Sequence, residues 1–481
     1  MKKLSILFQE PIVPREVSYG KFSKEAGNNT FPYGVACLAS YVEERGYEVK
    51  YLEPNLDQLT EEDYVGFIRA GNFDVIGIGS TTLQIEFAIE CFNIIKKILP
   101  DIITVLGGVH ATLLPEETIV SAKSIDYIIA GEGETPFYQL LEAIHQKRPD
   151  DCENIQGICY KREGNIIYNP PDSSKYISTE EIPLPLFKIF PMRKYIPQIT
   201  FATDFPTYSV MASRGCPYKC SFCNATTISG RRVRYKSIPK VIEEVRILKY
   251  EYGARGVMFL DSTFPLNKKW VNEFCRQYIQ SGLNVPWSCN TRGDTVDTDI
   301  LKIMKKAGCW GVNLGIESGN QKSLNLIKKD ITVEQNSEAV RLLRKNGYFV
   351  GATYIICLPG ETEEDVMRTI EYARNLGNQM AFFYLPVPFP RSRLEDACRK
   401  DGGLKEDARW LDYNAWCFQE MVYVNPLIGK ERMLKVLNKA HVRFYSNPKV
   451  ILRNFLEVIL LRQNPYKYWI GLKGVIRSMF Q

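Results

Sequence analysis

Twice along this chain, short β-branched runs alternate with stretches of helical periodicity. No other feature restricts the fold as much, because this is the order of a parallel sheet whose crossovers are helices. In the first set, strands are expected over 4–8, 48–52, 74–79, 102–106 and 127–130, and helices over 33–45, 61–70, 84–99, 115–122 and 136–146. Five of each describe a doubly wound, Rossmann-like domain, in which a ligand binds beyond the carboxyl ends of the strands. In the second set, strands are expected over 208–212, 257–260, 287–290, 311–316, 350–357 and 380–385, and helices over 239–252, 268–281, 298–307, 332–346 and 363–376. Six strands with helical crossovers suit three quarters of a TIM barrel, a partial (β/α)6 sheet whose active face is again at the strand C-termini. The fold class is therefore α/β throughout. The chain divides into 1–147, a proline-punctuated connector 148–205 with a hairpin over 158–167, the barrel 206–405 and a helical extension 406–481. With 481 residues, 45% of them hydrophobic, there is enough apolar material for more than one core.

Directly after the first barrel strand comes Cys216-Pro217-Tyr218-Lys219-Cys220-Ser221-Phe222-Cys223, three thiols at C-x3-C-x2-C spacing. Thiolates are the usual ligands of iron–sulfur clusters. Three of them cannot satisfy the four irons of a cubane, so one iron stays open, as a catalytic zinc keeps an open position. A zinc knuckle competes, but its fourth ligand is not evident: the histidines are only His110, His145 and His441, and there is no second C-x2-C. Thirteen cysteines suggest a reducing compartment in which thiols are free for metal. Polar residues gather at the ends of the later strands: Asp261-Ser262, Asn290 and Arg292, Glu317-Ser318, and Pro359-Gly360-Glu361. The bland reading of the acids is helix N-capping. In the first domain the strand ends are small: Gly79-Ser80-Thr81-Thr82, Gly107-Gly108-Val109-His110 and Gly131-Glu132-Gly133-Glu134. Glycines there let a bulky flat ligand approach the backbone.

The C-x3-C-x2-C with an aromatic residue before its last cysteine resembles the radical S-adenosylmethionine (SAM) superfamily. The resemblance implies a [4Fe-4S] cluster on Cys216, Cys220 and Cys223, with SAM on its open iron and Phe222 beside the adenine. The reduced cluster would cleave SAM to a 5′-deoxyadenosyl radical. Phe259-Leu260-Asp261-Ser262-Thr263-Phe264, Gly315-Ile316-Glu317-Ser318-Gly319 and Cys357-Leu358-Pro359-Gly360-Glu361-Thr362 resemble the family's later strand-end motifs, with Cys357 in place of a usual glycine. By that likeness Asp261, Ser262, Asn290, Arg292, Glu317, Ser318 and Gly360 bind SAM. In the first domain, Ser80-Thr81-Thr82, Gly107-Gly108-Val109-His110 and Gly131–Glu134 resemble the cobalamin-binding domain that precedes the radical domain in one large branch. The loop 9–31 contains no D-x-H-x-x-G and no histidine, so cobalamin is expected to bind without a protein imidazole below the cobalt. His110 is counted with the cobalamin-binding residues of the fourth-strand turn, and as a ligand below the cobalt it gives way to a structural reading.

The resemblance implies a methyltransferase acting on an unactivated carbon. The alternative within the branch is a ring-forming or oxidative cyclase on a lipid or tetrapyrrole. A tRNA methylthiotransferase would need a second cysteine set, which Cys37, Cys91, Cys152 and Cys159 do not form; a non-catalytic cobalamin carrier would not need the SAM-site acids. An external electron donor of flavodoxin or ferredoxin type is implied, with a small-molecule or lipid substrate and no nucleic acid. The N-terminal apolar run is stopped by Glu10 and Pro11 and reads as a strand, so the chain is expected in the cytoplasm. Residues 430–481 hold eleven Lys/Arg against Glu431 and Glu457, a net of 11 − 2 = +9 in a chain of net +6. A basic amphipathic tail suits peripheral contact at the inner face of a membrane, against simple packing. Trp410, Tyr413 and Trp416 are expected over the barrel mouth.

Overall fold

The structure, a computed structural model, describes residues 3–14, 17, 30–196, 202, 204–414 and 420–460. The first sheet holds β1 (Ser5–Gln9), β2 (Glu48–Leu52), β3 (Val75–Gly79), β4 (Ile103–Gly107) and β5 (Tyr127–Ile129), all parallel, in the order 2-1-3-4-5. Every residue of β1 is buried, as expected of a central parallel strand covered by helices on both faces. Helices Tyr33–Glu43 and Glu134–His145 close one face over Phe8, Val105, Ile129 and Phe137. Helix Ile85–Ile98 closes the other over Leu7, Ile76 and Leu106. The chain reverses its winding between β1 and β3, and the crevice lies there. The expected hairpin forms as β6 (Ile158–Arg162) and β7 (Asn165–Tyr168), and it runs antiparallel along β5, extending this sheet to seven strands.

The second sheet holds β8 (Thr207–Val210), β11 (Gly256–Phe259), β12 (Trp287–Thr291), β13 (Cys309–Glu317), β14 (Phe349–Ile355) and β15 (Met380–Tyr384), all parallel and side by side in chain order. That order, with a helix in each crossover, is the partial barrel. A short ribbon of β9 (Ser213–Arg214) and β10 (Arg234–Tyr235) stands beside it. Around Phe259 an aromatic cluster of Phe264, Phe274 and Trp287 fills the space under the helices. The connector is no loose linker. Its Phe187, Phe190 and Tyr195 surround Phe31 with ring centroids 5.6, 5.1 and 5.6 Å away, inside one apolar cluster that continues into the barrel. Burying each such ring contributes about 1.5–3 kcal/mol, so the two domains are held as one body.

Helix Lys430–Tyr445 buries Met433, Val436, Leu437, Ala440 and Phe444 against helix Glu363–Leu376 and β15. The expectation that Trp410 caps the barrel mouth is corrected. The turn Trp410–Asp412 packs on Thr82–Gln84 of the first domain, with Trp410 edge-on to His110 at 4.9 Å and joined to that domain's core. Buried Asp412 is held by Lys405 and Arg409, which turns the indole this way. Trp416 lies outside the described residues.

Candidate functional site

The cysteine loop leaves β9 through Gly215, whose φ of +99° and a backbone oxygen, Arg232 O, 2.3 Å from any added Cβ both require glycine. Three elements then pin the loop. Cys216 N–H donates to Gly230 O (3.1 Å), Ser221 N–H to Ile327 O (2.8 Å), and Leu394 N–H to Ser221 O (2.9 Å). Cys216 and Cys220 are half-buried and Cys223 is exposed. Burial pushes all three thiols above their ordinary value; Lys329 opposes that at each of them, and Arg292 at Cys216 and Cys220. Among the described residues no three His, Cys, Asp or Glu side chains are gathered closely enough for a single metal ion. Three thiols on one loop suit a cluster, where each ligand takes its own iron.

Two cations flank the loop. Arg292 is buried, its guanidinium lies 3.6 Å from the Tyr218 ring centre, it pairs with Asp294 (3.1 Å), and it approaches Cys220 Sγ at 3.5 Å. Lys329 Nζ pairs with Glu317 at 2.7 Å and sits 5.7 Å from the Phe222 ring. An added Cβ at Gly315 would meet Glu317 Oε1 at 2.6 Å and Lys329 Nζ at 2.8 Å, so the glycine makes room for this pair. Glu317 (φ +65°) and Cys357 (φ +66°) are left-handed without being glycine, at the ends of neighbouring strands. Such backbone costs on the order of 1–3 kcal/mol and concentrates at working sites.

A cavity of about 410 Å³ lies between the two sheets' carboxyl ends. The first domain contributes Phe8, Tyr33, Gly79, Gly107, Gly133 and Phe137; the second contributes Met211, Arg214, Asp261 and Ser262. The nearest protein atom to an added Cβ at Gly79 or Gly107 is 4.0 Å away, so the space over these strand ends is open. No histidine lines the cavity among the described residues. The mostly apolar floor and bare strand ends fit a large flat cofactor such as cobalamin, approached from backbone.

The sequence-derived residues divide accordingly. Gly107, Gly108, Gly131, Glu132, Gly133, Glu134, Asp261 and Ser262 line the cavity. Phe222, Arg292 and Glu317 gather at the cysteine loop. Asp261 caps no helix. It accepts from Ala212 N (3.0 Å) and from Ser213 Oγ, and burial pushes its carboxyl up to about 6. It thus ties the end of β11 to the start of the cysteine loop. Asn290 accepts from Asn313 Nδ2 at 3.3 Å. Ser318 is fully buried against Thr369 Oγ1 (2.9 Å), and Gly360 takes φ +71° in open space. Ser80, Thr81, Thr82, Val109 and His110 stand outside the cavity wall. Ser80 crosses Gly108 backbone to backbone, with N–H donated to Gly107 O (3.0 Å). Thr81 pairs with Gln84, and Thr82 is buried. His110 is buried under Trp410, and burial lowers its imidazole to about 4. Sequence reasoning passed over Arg214, Lys329 and Tyr33; only the nearness of Arg214 to Cys216 was a signal.

The description of the radical SAM superfamily matches residues 210–373, and that of the B12 binding domain matches residues 23–141. An uncharacterized methyltransferase of Pyrococcus horikoshii is 34% identical over 100% of both chains. The anaerobic magnesium-protoporphyrin IX monomethyl ester cyclase of Rubrivivax gelatinosus is 28% identical over 99% of this chain and 83% of its own. Among solved structures, the radical SAM methyltransferase TsrM from Kitasatospora setae, with cobalamin and a [4Fe-4S] cluster bound, superposes with a TM-score of 0.70 at 18% identity, over 92% of this chain and 89% of that one.

Proposed function

Since the chain belongs to the cobalamin-binding radical SAM enzymes, which employ a [4Fe-4S] cluster, SAM and cobalamin, we propose that it methylates an unactivated carbon of a small molecule or lipid. The observation that carries this reading is a continuous cavity, which reaches from the glycine ends of β3 and β4 to Asp261 and Ser262 beside the cysteine loop. When bound, the cluster with SAM supplies hydrogen abstraction and cobalamin supplies a methyl group. The chain's own residues position and enclose. Cys216, Cys220 and Cys223 would hold the cluster, with Lys329 and Arg292 opposing the rise that burial imposes on the Cys216 and Cys220 thiols. Asp261 fixes the loop's entry through Ala212 N and Ser213 Oγ. Phe8, Tyr33, Phe137 and Met211 make apolar walls that exclude water from a reactive centre. In a deletion strain, mass spectrometry of metabolites and lipids should show a compound lacking one methyl group. Accumulation of an unclosed or unoxidised ring precursor instead would favour the cyclase reading, which the full-length likeness to the Rubrivivax protein supports.

The electron donor meets the cluster loop at its open side, where Lys219, Cys223, Arg231 and Arg232 are exposed. An acidic carrier of flavodoxin or ferredoxin type fits that charge. Reversing Arg231 and Arg232 to glutamate should slow cluster reduction by such a carrier, and an unchanged rate removes this docking site.

A membrane surface is the second reading, favoured by helix Pro448–Leu460, which exposes Ile451, Leu452, Phe455 and Leu456 on one side. With the net +9 of residues 430–481, it has the composition of an interfacial helix. No helix among the described residues is long and apolar enough to cross a membrane. Co-sedimentation with anionic liposomes should occur at low salt, fall at high salt and vanish on truncation near Tyr445. A full-length protein that ignores the liposomes at low salt makes the tail a packing element.

A further inference from the structure

We infer that Arg214, Arg234, Glu132 and Glu134 form a positioning device that sets the separation of the cobalamin floor from the cluster loop; this rests on the reading that both cofactors meet in the cavity. Glu132 and Glu134 stand on the turn after β5, in the first domain. Arg214 is on β9, two residues before Cys216, and is paired in register with Arg234 on β10. Arg214 reaches both acids, Glu134 at 2.7 Å and Glu132 at 3.3 Å, while Arg234 takes the other oxygen of Glu132. The four side chains are only 11%, 10%, 7% and 4% exposed for Arg214, Arg234, Glu132 and Glu134. Buried pairs of this kind are poor sources of net stability, since desolvation offsets their attraction, but they tolerate little displacement. Arginine's planar fork adds directionality that lysine lacks.

Both ends of the device are themselves fixed. Arg234 donates to Ile177 O (2.7 Å) and lies 5.3 Å over the Tyr176 ring. The same tyrosine closes over Gly131, where an added Cβ would stand 2.3 Å from its hydroxyl and φ is +82°. The acidic turn is thus clamped between Tyr176 and the arginines, and Arg214, Glu132 and Glu134 form part of the cavity wall. A displacement of the turn moves the glycine floor relative to Cys216. A misplacement of about 1 Å between reacting groups costs on the order of 100-fold in rate, so a rigid link at this point has a kinetic purpose beyond holding two domains together.

The test uses the full-length protein reconstituted with iron, sulfide and hydroxocobalamin, and it reads the magnetic coupling between Co(II) and the reduced cluster by electron paramagnetic resonance. Compared at equal iron and cobalamin loading, Arg214→Gln and Glu134→Gln are expected to weaken and spread the coupling. Arg214→Lys should recover part of it. Should the single variants fold poorly, the paired Arg214→Met with Glu134→Met removes both charges at once and should still lose the coupling. Coupling equal to that of the unaltered protein in all variants overturns the device. If the unaltered protein takes up a cluster but no cobalamin, the reading of the cavity fails instead. The device is then judged by amide hydrogen exchange at Gly131–Glu134 of the cofactor-free chain, where Arg214→Gln should accelerate exchange at least about tenfold. No acceleration confined to that turn overturns it as well.

Discussion

In the first sheet, the strand ends that face the cavity are bare: at Gly79 and Gly107 the nearest protein atom stands 4.0 Å from where a side chain would begin. In the barrel, the corresponding ends carry charge: Asp261 after β11, Arg292 after β12, and Glu317 ending β13 with Lys329 across it. Both sheets are parallel and both are made by the same alternation of strand and helix. On the proposed reading one would hold its ligand by withholding side chains, so that a broad molecule rests on backbone. On the same reading the other would hold its ligands with opposed, buried charges, of which Glu317 has a left-handed backbone. A shared rhythm therefore fixes where a site lies and leaves its chemistry to a few residues per strand.

The sharpest break of the comparison is at the cysteine loop. Cys216→Ala, Cys220→Ala or Cys223→Ala should abolish both the four-iron cluster and SAM cleavage while cobalamin still binds, as iron analysis and absorption spectra of the reconstituted protein will show. Full cleavage by any of the three removes the central assignment. The floor should respond in the opposite way. Gly107 has an extended backbone that any residue adopts, and no protein atom lies closer than 4.0 Å to its added Cβ. Gly107→Val should thus fold and keep its cluster yet bind cobalamin up to about 100-fold more weakly, by titration, because the branched side chain overfills the ligand space. Its neighbour sharpens the point. Gly108 is at φ +93° with Ser80 backbone 2.6 Å from an added Cβ, so Gly108→Ala should lower unfolding stability itself by about 1–3 kcal/mol.

The smallest effects are in the pH dependence, where the two regions have opposite signs. The buried imidazole of His110 is lowered to about 4 from 6.5, so the unfolded chain takes up the proton first and stability falls as pH drops from 6.5 toward 4. The Asp261 carboxyl is raised to about 6 from 3.8, so its contribution is complete below 3.8 and is lost as pH rises through 6. Each should appear in chemical denaturation as a slope of at most about 1.4 kcal/mol per pH unit, flattened by His110→Phe in the first case and by Asp261→Asn in the second.

The architecture was legible because its signals are local. A strand such as Glu48–Leu52 and helices such as Glu61–Ala70 and Glu363–Leu376 declare themselves within their own ten or so residues, and the observed bounds match the expected ones. The cysteine loop was equally plain, since its three cysteines lie within eight residues. What sequence reasoning missed is long-range. Nothing near Lys329 announces Glu317, and nothing near Arg214 announces an acidic turn eighty positions earlier. The hairpin Ile158–Tyr168 was visible as a hairpin, but its pairing along β5 depends on an edge that exists only in the folded sheet. The unusual Cys357 marked a special position, and its left-handed backbone explains why glycine is the ordinary choice there.

The clasp of Trp410 over His110 also bears on the order in which the molecule is made. Domains tend to fold as they leave the ribosome, so the first sheet can form while most of the barrel is still unsynthesised. The turn at Thr82–Gln84 then stays uncovered until the residues around 410 emerge and settle on it. The last quarter of the chain thus completes the first, and the nascent protein has a window in which this turn of its first domain is accessible before residues around 410 cover it.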